Sequence, residues 1–108
     1  MAKAGGLLGL LGLGARGGKV IVGVEAVRQG LKAGRVHCVV VASDASPRAG
    51  DKVVRLAAAK GIPLVTGPEA ATIGGRLGRP PVMVVGVRDP MLAAGMLRAI
   101  ADAPVTEG

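Results

Sequence analysis

Two short segments constrain this chain more than anything else in it. His37–Ala42 and Val82–Val87 are almost continuously apolar and rich in valine, and each lies close to residues that break regular structure. A strand with one wet face alternates apolar and polar residues, so a run without alternation belongs to a strand covered on both faces. Helices must then lie above and below the sheet. The pattern of the remaining segments predicts them. Leucines at 7, 8, 10, 11 and 13, without a β-branched residue, predict a helix from Gly5 to Arg16. Each interior glycine weakens it by about 1 kcal/mol. Gly17 and Gly18 end it, and Lys19–Val22 reads as a short strand.

Gly23 opens a second helix reaching about Lys32, with Val24, Val27 and Leu31 on one face and Gly34 as its stop. After the first apolar run, Ser43, Asp44 and Ser46 precede Pro47, the grammar of a helix start. That helix is predicted to run to about Lys60, with Val53, Val54, Leu56 and Ala57 turned inward. Ile62–Val65 is a short strand whose Pro63 points to an edge or a strand start. A short helix opens at Pro68 or Glu69 and fades between Gly74 and Gly78. Asp89 followed by Pro90 is an N-cap and first-turn proline for a last helix to about Ala101, with Leu92, Met96 and Ile100 spaced by four. The expectation is one α/β domain over residues 1–102, a three-layer α/β/α sandwich on about four strands, with a loose tail at 103–108.

Composition removes several function classes. There is no Phe, Tyr or Trp in 108 residues, so no site can rest on aromatic base stacking. One Cys and one His leave no disulfide framework and no protein-only zinc site. The apolar run Ala4–Ala15 follows Lys3 as in a signal peptide, but it holds five glycines and is too short to span a bilayer. With Cys38 lying in an apolar run, the reading is a cytoplasmic protein with no membrane partner.

Charge points to a class of partner. The net charge is +7, and residues 1–36 alone carry +5. Arg16, Lys19, Arg28, Lys32 and Arg35 gather around the first two helices beside Gly17, Gly18 and Gly23. Helix N-termini offer N–H groups to phosphates, and Arg28 and Lys32 share a helix face. The same residues also suit an ordinary solvated face, and nine of the fourteen cations are Arg, in a chain biased toward Gly, Ala, Val and Pro.

Other candidate chemistry is thin. Gly12, Gly14 and Gly17 fit G-x-G-x-x-G, but what precedes them is helix-like and no acid stands about 20 residues on. Gly18-Lys19 lacks the rest of a phosphate-binding loop. His37 and Cys38 are adjacent in a strand, so they face opposite ways and cannot act as a nucleophile–base pair. Asp44 stands at a buried strand end, where α/β proteins place ligands, but suits a turn or helix cap better. No Ser, His and Asp constellation is visible, so an enzyme is disfavoured and no cofactor is expected.

One arrangement resembles a known family. Gly17-Gly18-Lys19, Gly23-x-Glu25-Ala26-Val27, Gly34 and Val39-Val40-Val41-Ala42-x-Asp44-Ala45-Ser46-Pro47 follow in order. Gly61-Ile62-Pro63-Leu64-Val65, Pro68, Ile73-Gly74-x-x-Leu77-Gly78 and Val84-Val85-Gly86-Val87-x-Asp89 continue it. Together they resemble the kink-turn-binding ribosomal protein superfamily, and within it the small bacterial YlxQ-type branch. The resemblance implies a mixed four-stranded sheet and a non-enzymatic, cytoplasmic protein of ribosomal or other structured RNA. It implies RNA contacts at the start of the second helix and in the loop after Leu64–Val65, that is at Lys19, Gly23, Glu25, Arg28, Gln29, Lys32, Thr66, Gly67 and Pro68. Glu25 stands where the family has Asn, Ala26 where it has Glu, and Gln29 where it has Lys. The expectation is therefore binding by phosphate electrostatics with weak or altered kink-turn recognition. Two other readings stay open: a protein-interaction module of the same fold, and a small-ligand or enzyme site near Asp44.

Overall fold

The computed structural model describes residues 3–101. The elements run α1 (Lys3–Arg16), β1 (Val20–Val22), α2 (Val24–Lys32), β2 (Cys38–Val41), α3 (Pro47–Ala59), β3 (Leu64–Thr66), α4 (Ala70–Leu77), β4 (Val84–Val87) and α5 (Pro90–Ala101). The tail at 103–108 lies outside the described residues.

The sheet has four strands in the order β1-β4-β2-β3. β4 runs antiparallel to β1 and to β2, while β2 and β3 are parallel. The two apolar runs thus become the two inner strands, and β3 with its nearby Pro63 is an edge. Val40 sits opposite Val85 and Val39 opposite Gly86. Alternation then divides the side chains. Cys38, Val40, Val85 and Val87 join Leu7, Leu11, Ile73 and Met96 on the face covered by α1, α4 and α5. Val39 and Val84 join Val27, Leu31, Val53 and Ala57 on the face covered by α2 and α3. Each large aliphatic side chain buried this way contributes about 1.5–3 kcal/mol of transfer free energy. Two such cores, one per sheet face, replace the aromatic residues the chain lacks.

α1 forms despite its glycines because tertiary packing, rather than propensity, holds it. Leu7 and Leu11 are buried, and Gly14 lies against Leu92 and Val20 with no room for a Cβ. Leu13 points outward and is 63% exposed. Gly12 and Gly14 fall inside this helix, so no strand precedes them and the dinucleotide fingerprint has no structural basis. On α3, Val53 and Ala57 are fully buried as expected, but Val54 is 39% exposed and does not belong to the inward face. At 100° per residue, Val54 lies about 100° away from Val53.

Candidate nucleic-acid interface

Because β4 opposes its neighbours, β1, β2 and β3 all point the same way, and their C-terminal ends share one end of the sheet. Gly23 follows β1 there, Ala42–Asp44 follow β2, and Gly67 and Pro68 follow β3. The chain leading into β4 lies between them.

Gly23 is the N-cap of α2, with φ 103 and ψ 150, a conformation that L side chains rarely adopt. Its N–H donates to the Val84 carbonyl at 2.9 Å, which ties the start of α2 to β4. No side chain caps this helix, and its first i→i−4 bond runs from Val27 N–H to the Gly23 carbonyl at 3.0 Å. The amides that precede that bond form the positive end of the helix, a fitting place for an anion.

The side chains of α2 are already engaged with one another. Arg28 Nη1 donates to Glu25 Oε1 at 2.9 Å and to Oε2 at 3.1 Å, and Gln29 Nε2 reaches Oε2 at 3.5 Å. The Arg28 guanidinium, by hydrogen bond and by charge, holds the Glu25 carboxyl below its ordinary value; Gln29 and the charge of Lys52 add to the effect. Glu25 is therefore a neutralised acid rather than a bare one, and Arg28 is a cation with a partner. The Glu25 side chain is 69% exposed, so the pair contributes little to stability.

The remaining predicted residues are spread apart. Lys32 lies exposed in the last turn of α2. Lys19 precedes β1, so it sits about 13 Å along the strand from Gly23, at the opposite end of the sheet. Its carbonyl accepts from Arg88 N–H at 2.8 Å there. Thr66, Gly67 and Pro68 share the end with Gly23 but follow the edge strand on the far side of the sheet. Gly67 is held by its backbone, donating to the Val41 carbonyl at 2.8 Å, and a Cβ on it would come 2.8 Å from Val40 Cγ1. Packing accounts for that glycine.

Residues nearer to Gly23 escaped the sequence reading. Val84, at the start of β4, accepts the Gly23 N–H, and Met83 just before it is 37% exposed. Pro80 and Pro81 marked the entry to β4, but only the antiparallel pairing of β4 with β1 brings Met83 and Val84 to the Gly23 end of the sheet.

Asp44 resolves to one role. Its Oδ1 accepts from Ala70 N–H at 2.8 Å, capping the first turn of α4 from 26 residues away. Asp44 thus serves a different helix from the one it precedes. Asp89 does cap its own helix, accepting from Leu92 N–H at 2.8 Å. Asp44→Ala is expected to cost about 1 kcal/mol; urea unfolding with an unchanged midpoint would show that the bond carries nothing.

Cys38 is fully buried, and burial pushes its thiol up to about 11. It is a core side chain, held protonated and out of reach, while His37 beside it faces solvent. Among the described residues no three His, Cys, Asp or Glu side chains group as metal ligands, and no helix is long and apolar enough to cross a membrane.

Comparison with known proteins places this architecture. No curated protein matches the chain. A solved structure described as a protein with unknown function from Bacillus halodurans C is similar to it, with 27% identity and a TM-score of 0.84, covering 89% of this chain and 97% of that one. A Giardia lamblia 15.5kD RNA binding protein shares the fold at 20% identity and a TM-score of 0.75, covering 92% of this chain and 85% of that one. Residues 7–94 match the ribosomal protein L7Ae/L30e/S12e/Gadd45 family, and with most of its length inside that match the chain belongs to this family.

Proposed function

We propose that this chain is a non-enzymatic RNA-binding protein, in which residues 1–102 act as one domain on ribosomal or other structured RNA. We place it with the bacterial, cytoplasmic YlxQ-type proteins. The observation that carries the reading is the start of α2: an uncapped helix N-terminus at Gly23, beside a cationic helix face, at the end of the sheet where three strands point. Membership of a ribosomal protein family and the fold shared with an RNA binding protein from Giardia lamblia support it. The RNA backbone lies across the N-terminal turn of α2 at Gly23, with the exposed Met83 at the entry to β4 beside it and Thr66, Gly67 and Pro68 at the far margin. Lys32 contacts phosphate, and Lys19, with Arg35 and Arg88, contributes to the field from the other end of β1. Glu25 and Gln29 occupy base-reading positions but hydrogen-bond within α2, so kink-turn recognition is weak or altered. The burial of the Cys38 thiol and the capping bond of Asp44 support the non-enzymatic reading.

With no aromatic platform, affinity comes from phosphate neutralisation. Each phosphate contacted contributes about −0.7 to −0.9 to the slope of log K against log salt. Filter binding between 50 and 200 mM salt is expected to show a steep linear fall. Lys32→Ala should lower that slope by about 1 and weaken all RNAs alike. A flat salt profile would defeat the reading. It would favour a protein-interaction module, for which the specific observation is the groove between α1 and α4, lined by Leu10, the exposed Leu13 and Leu77.

A further inference from the structure

The sequence places cations on α2; the fold adds a second set facing them. Arg28 and Lys32 of α2 and Lys52 and Arg55 of α3 line a single groove of about 430 Å³, with Leu56 and Ala59 completing its wall. Spacings of four on α2 and three on α3 align each pair along its helix. Arg48 lies one turn before Lys52 on the same stripe, exposed. The acids on these two helices are Glu25, whose carboxylate is taken by Arg28, and Asp51.

Two packed helices that only needed to stay together would set opposite charges across such a groove. Here Glu25 offsets part of the charge, through Arg28 and Lys52, but the cations lining the groove outnumber it, and their mutual repulsion is relieved when an anion lies between them. The groove is open and its cations are strung along α3, about 20 Å long, instead of converging on one point. That shape suits a linear polyanion better than a single phosphate or carboxylate. Arg28, on its wall, ties the groove to the start of α2 through its hydrogen bonds to Glu25 in the first turn.

We propose that the α2–α3 groove is a second phosphate-backbone site, which grips a helical stem of the same RNA that the Gly23 end of the sheet engages. The proposal rests on the RNA-binding reading. Lys52 and Arg55 are the residues it adds, and Arg28 links the two sites through Glu25.

The test uses the full chain and two RNAs, a minimal kink-turn stem-loop and the same molecule with one stem lengthened. Lys52→Gln with Arg55→Gln removes two exposed cations that make no described hydrogen bond or ion pair, so the fold persists and circular dichroism checks it. A matched control, Arg76→Gln with Arg98→Gln, removes the same charge from exposed positions on the opposite layer. The groove variant is expected to bind the long RNA roughly tenfold more weakly near 0.1 M salt, with a salt slope smaller by about 2. It should lose clearly less on the short RNA, and the control should change little on either. Equal binding of the long RNA by the groove variant and the unmodified protein, or equal losses in groove variant and control, overturns the groove site alone. Failure of the unmodified protein to bind either RNA at low salt overturns the RNA reading and the groove with it.

Discussion

Gly74→Ala is expected to destabilise the protein by about 3 kcal/mol, while the same change one residue later, Gly75→Ala, stabilises it by about 0.5–1 kcal/mol. Both glycines lie in the interior of α4, where alanine is the better helix former. Propensity alone predicts a gain at both. At Gly75 nothing lies within 4 Å of an added Cβ, so the gain is realised. At Gly74 the Cβ would meet the backbone carbonyls of Arg79 and Pro80, where the chain crosses α4 on its way to β4. The Arg79 N–H also donates to the Gly74 carbonyl at 2.8 Å, so the crossing cannot move off without losing that bond. A backbone obstacle yields far less readily than a side chain, and the steric term wins. For a domain with roughly 5–15 kcal/mol in total, the loss is large. Urea unfolding of the two variants checks it, with midpoints expected on opposite sides of the unmodified protein. Equal midpoints would mean that the crossing segment relaxes freely. Loss at Gly74 would also disturb residues 79–83, so RNA binding should weaken with stability.

The second large effect concerns base recognition. The unmodified protein is expected to separate an intact kink-turn from the same stem with its G·A pairs replaced by less than about tenfold, because a base contact is worth about 1–3 kcal/mol and the family's contacting types are missing. Glu25→Asn with Ala26→Glu and Gln29→Lys should raise the ratio at least tenfold. The structure supplies a reason beyond the missing types. In the present chain Glu25 gathers Arg28 and Gln29 onto itself, so the side chains nearest the helix start hydrogen-bond within the protein. Replacing the carboxylate releases Arg28, and overall affinity will rise as well. The ratio between the two RNAs, measured by gel shift, is therefore the informative quantity. Arg28→Ala should weaken both RNAs more than Lys32→Ala does, since it also leaves an unpaired carboxylate at the anion-binding end of α2. Strong preference of the unmodified protein for the intact kink-turn would assign the reading to backbone amides at Gly23 and overturn the inference from side chains.

Much of this molecule follows from local chemistry written in the chain. The unalternating runs His37–Ala42 and Val82–Val87 read as strands covered on both faces, and Cys38–Val41 and Val84–Val87 within them are the inner pair. Pro63 marks the edge beside Leu64–Thr66, Asp89 caps the helix it precedes, and Cys38 goes to the core because an apolar strand leaves it nowhere else. Near-continuous apolar runs demanded two helical layers, and the breaks at Gly17, Gly34, Gly61 and Gly78 separated the elements that form them. These features depend on neighbours within a few residues, and such neighbours are visible in the order of the residues. The tertiary structure alone decided the rest. Strand order set β4 between β1 and β2, which put Val84 and the residue before it at Gly23 and left Thr66, Gly67 and Pro68 at the far edge. Asp44 capped α4 instead of the helix it precedes, because β2 and β3 end side by side and bring Ala70 within hydrogen-bond reach. Lys19 and Gly23, four residues apart, were carried to opposite ends of the sheet by the straightness of a strand. Lys52 and Arg55 came to face Arg28 and Lys32 because α2 and α3 pack on the same side of the sheet. Each of these is a meeting of segments distant in the chain, and no local preference specifies which of them will meet.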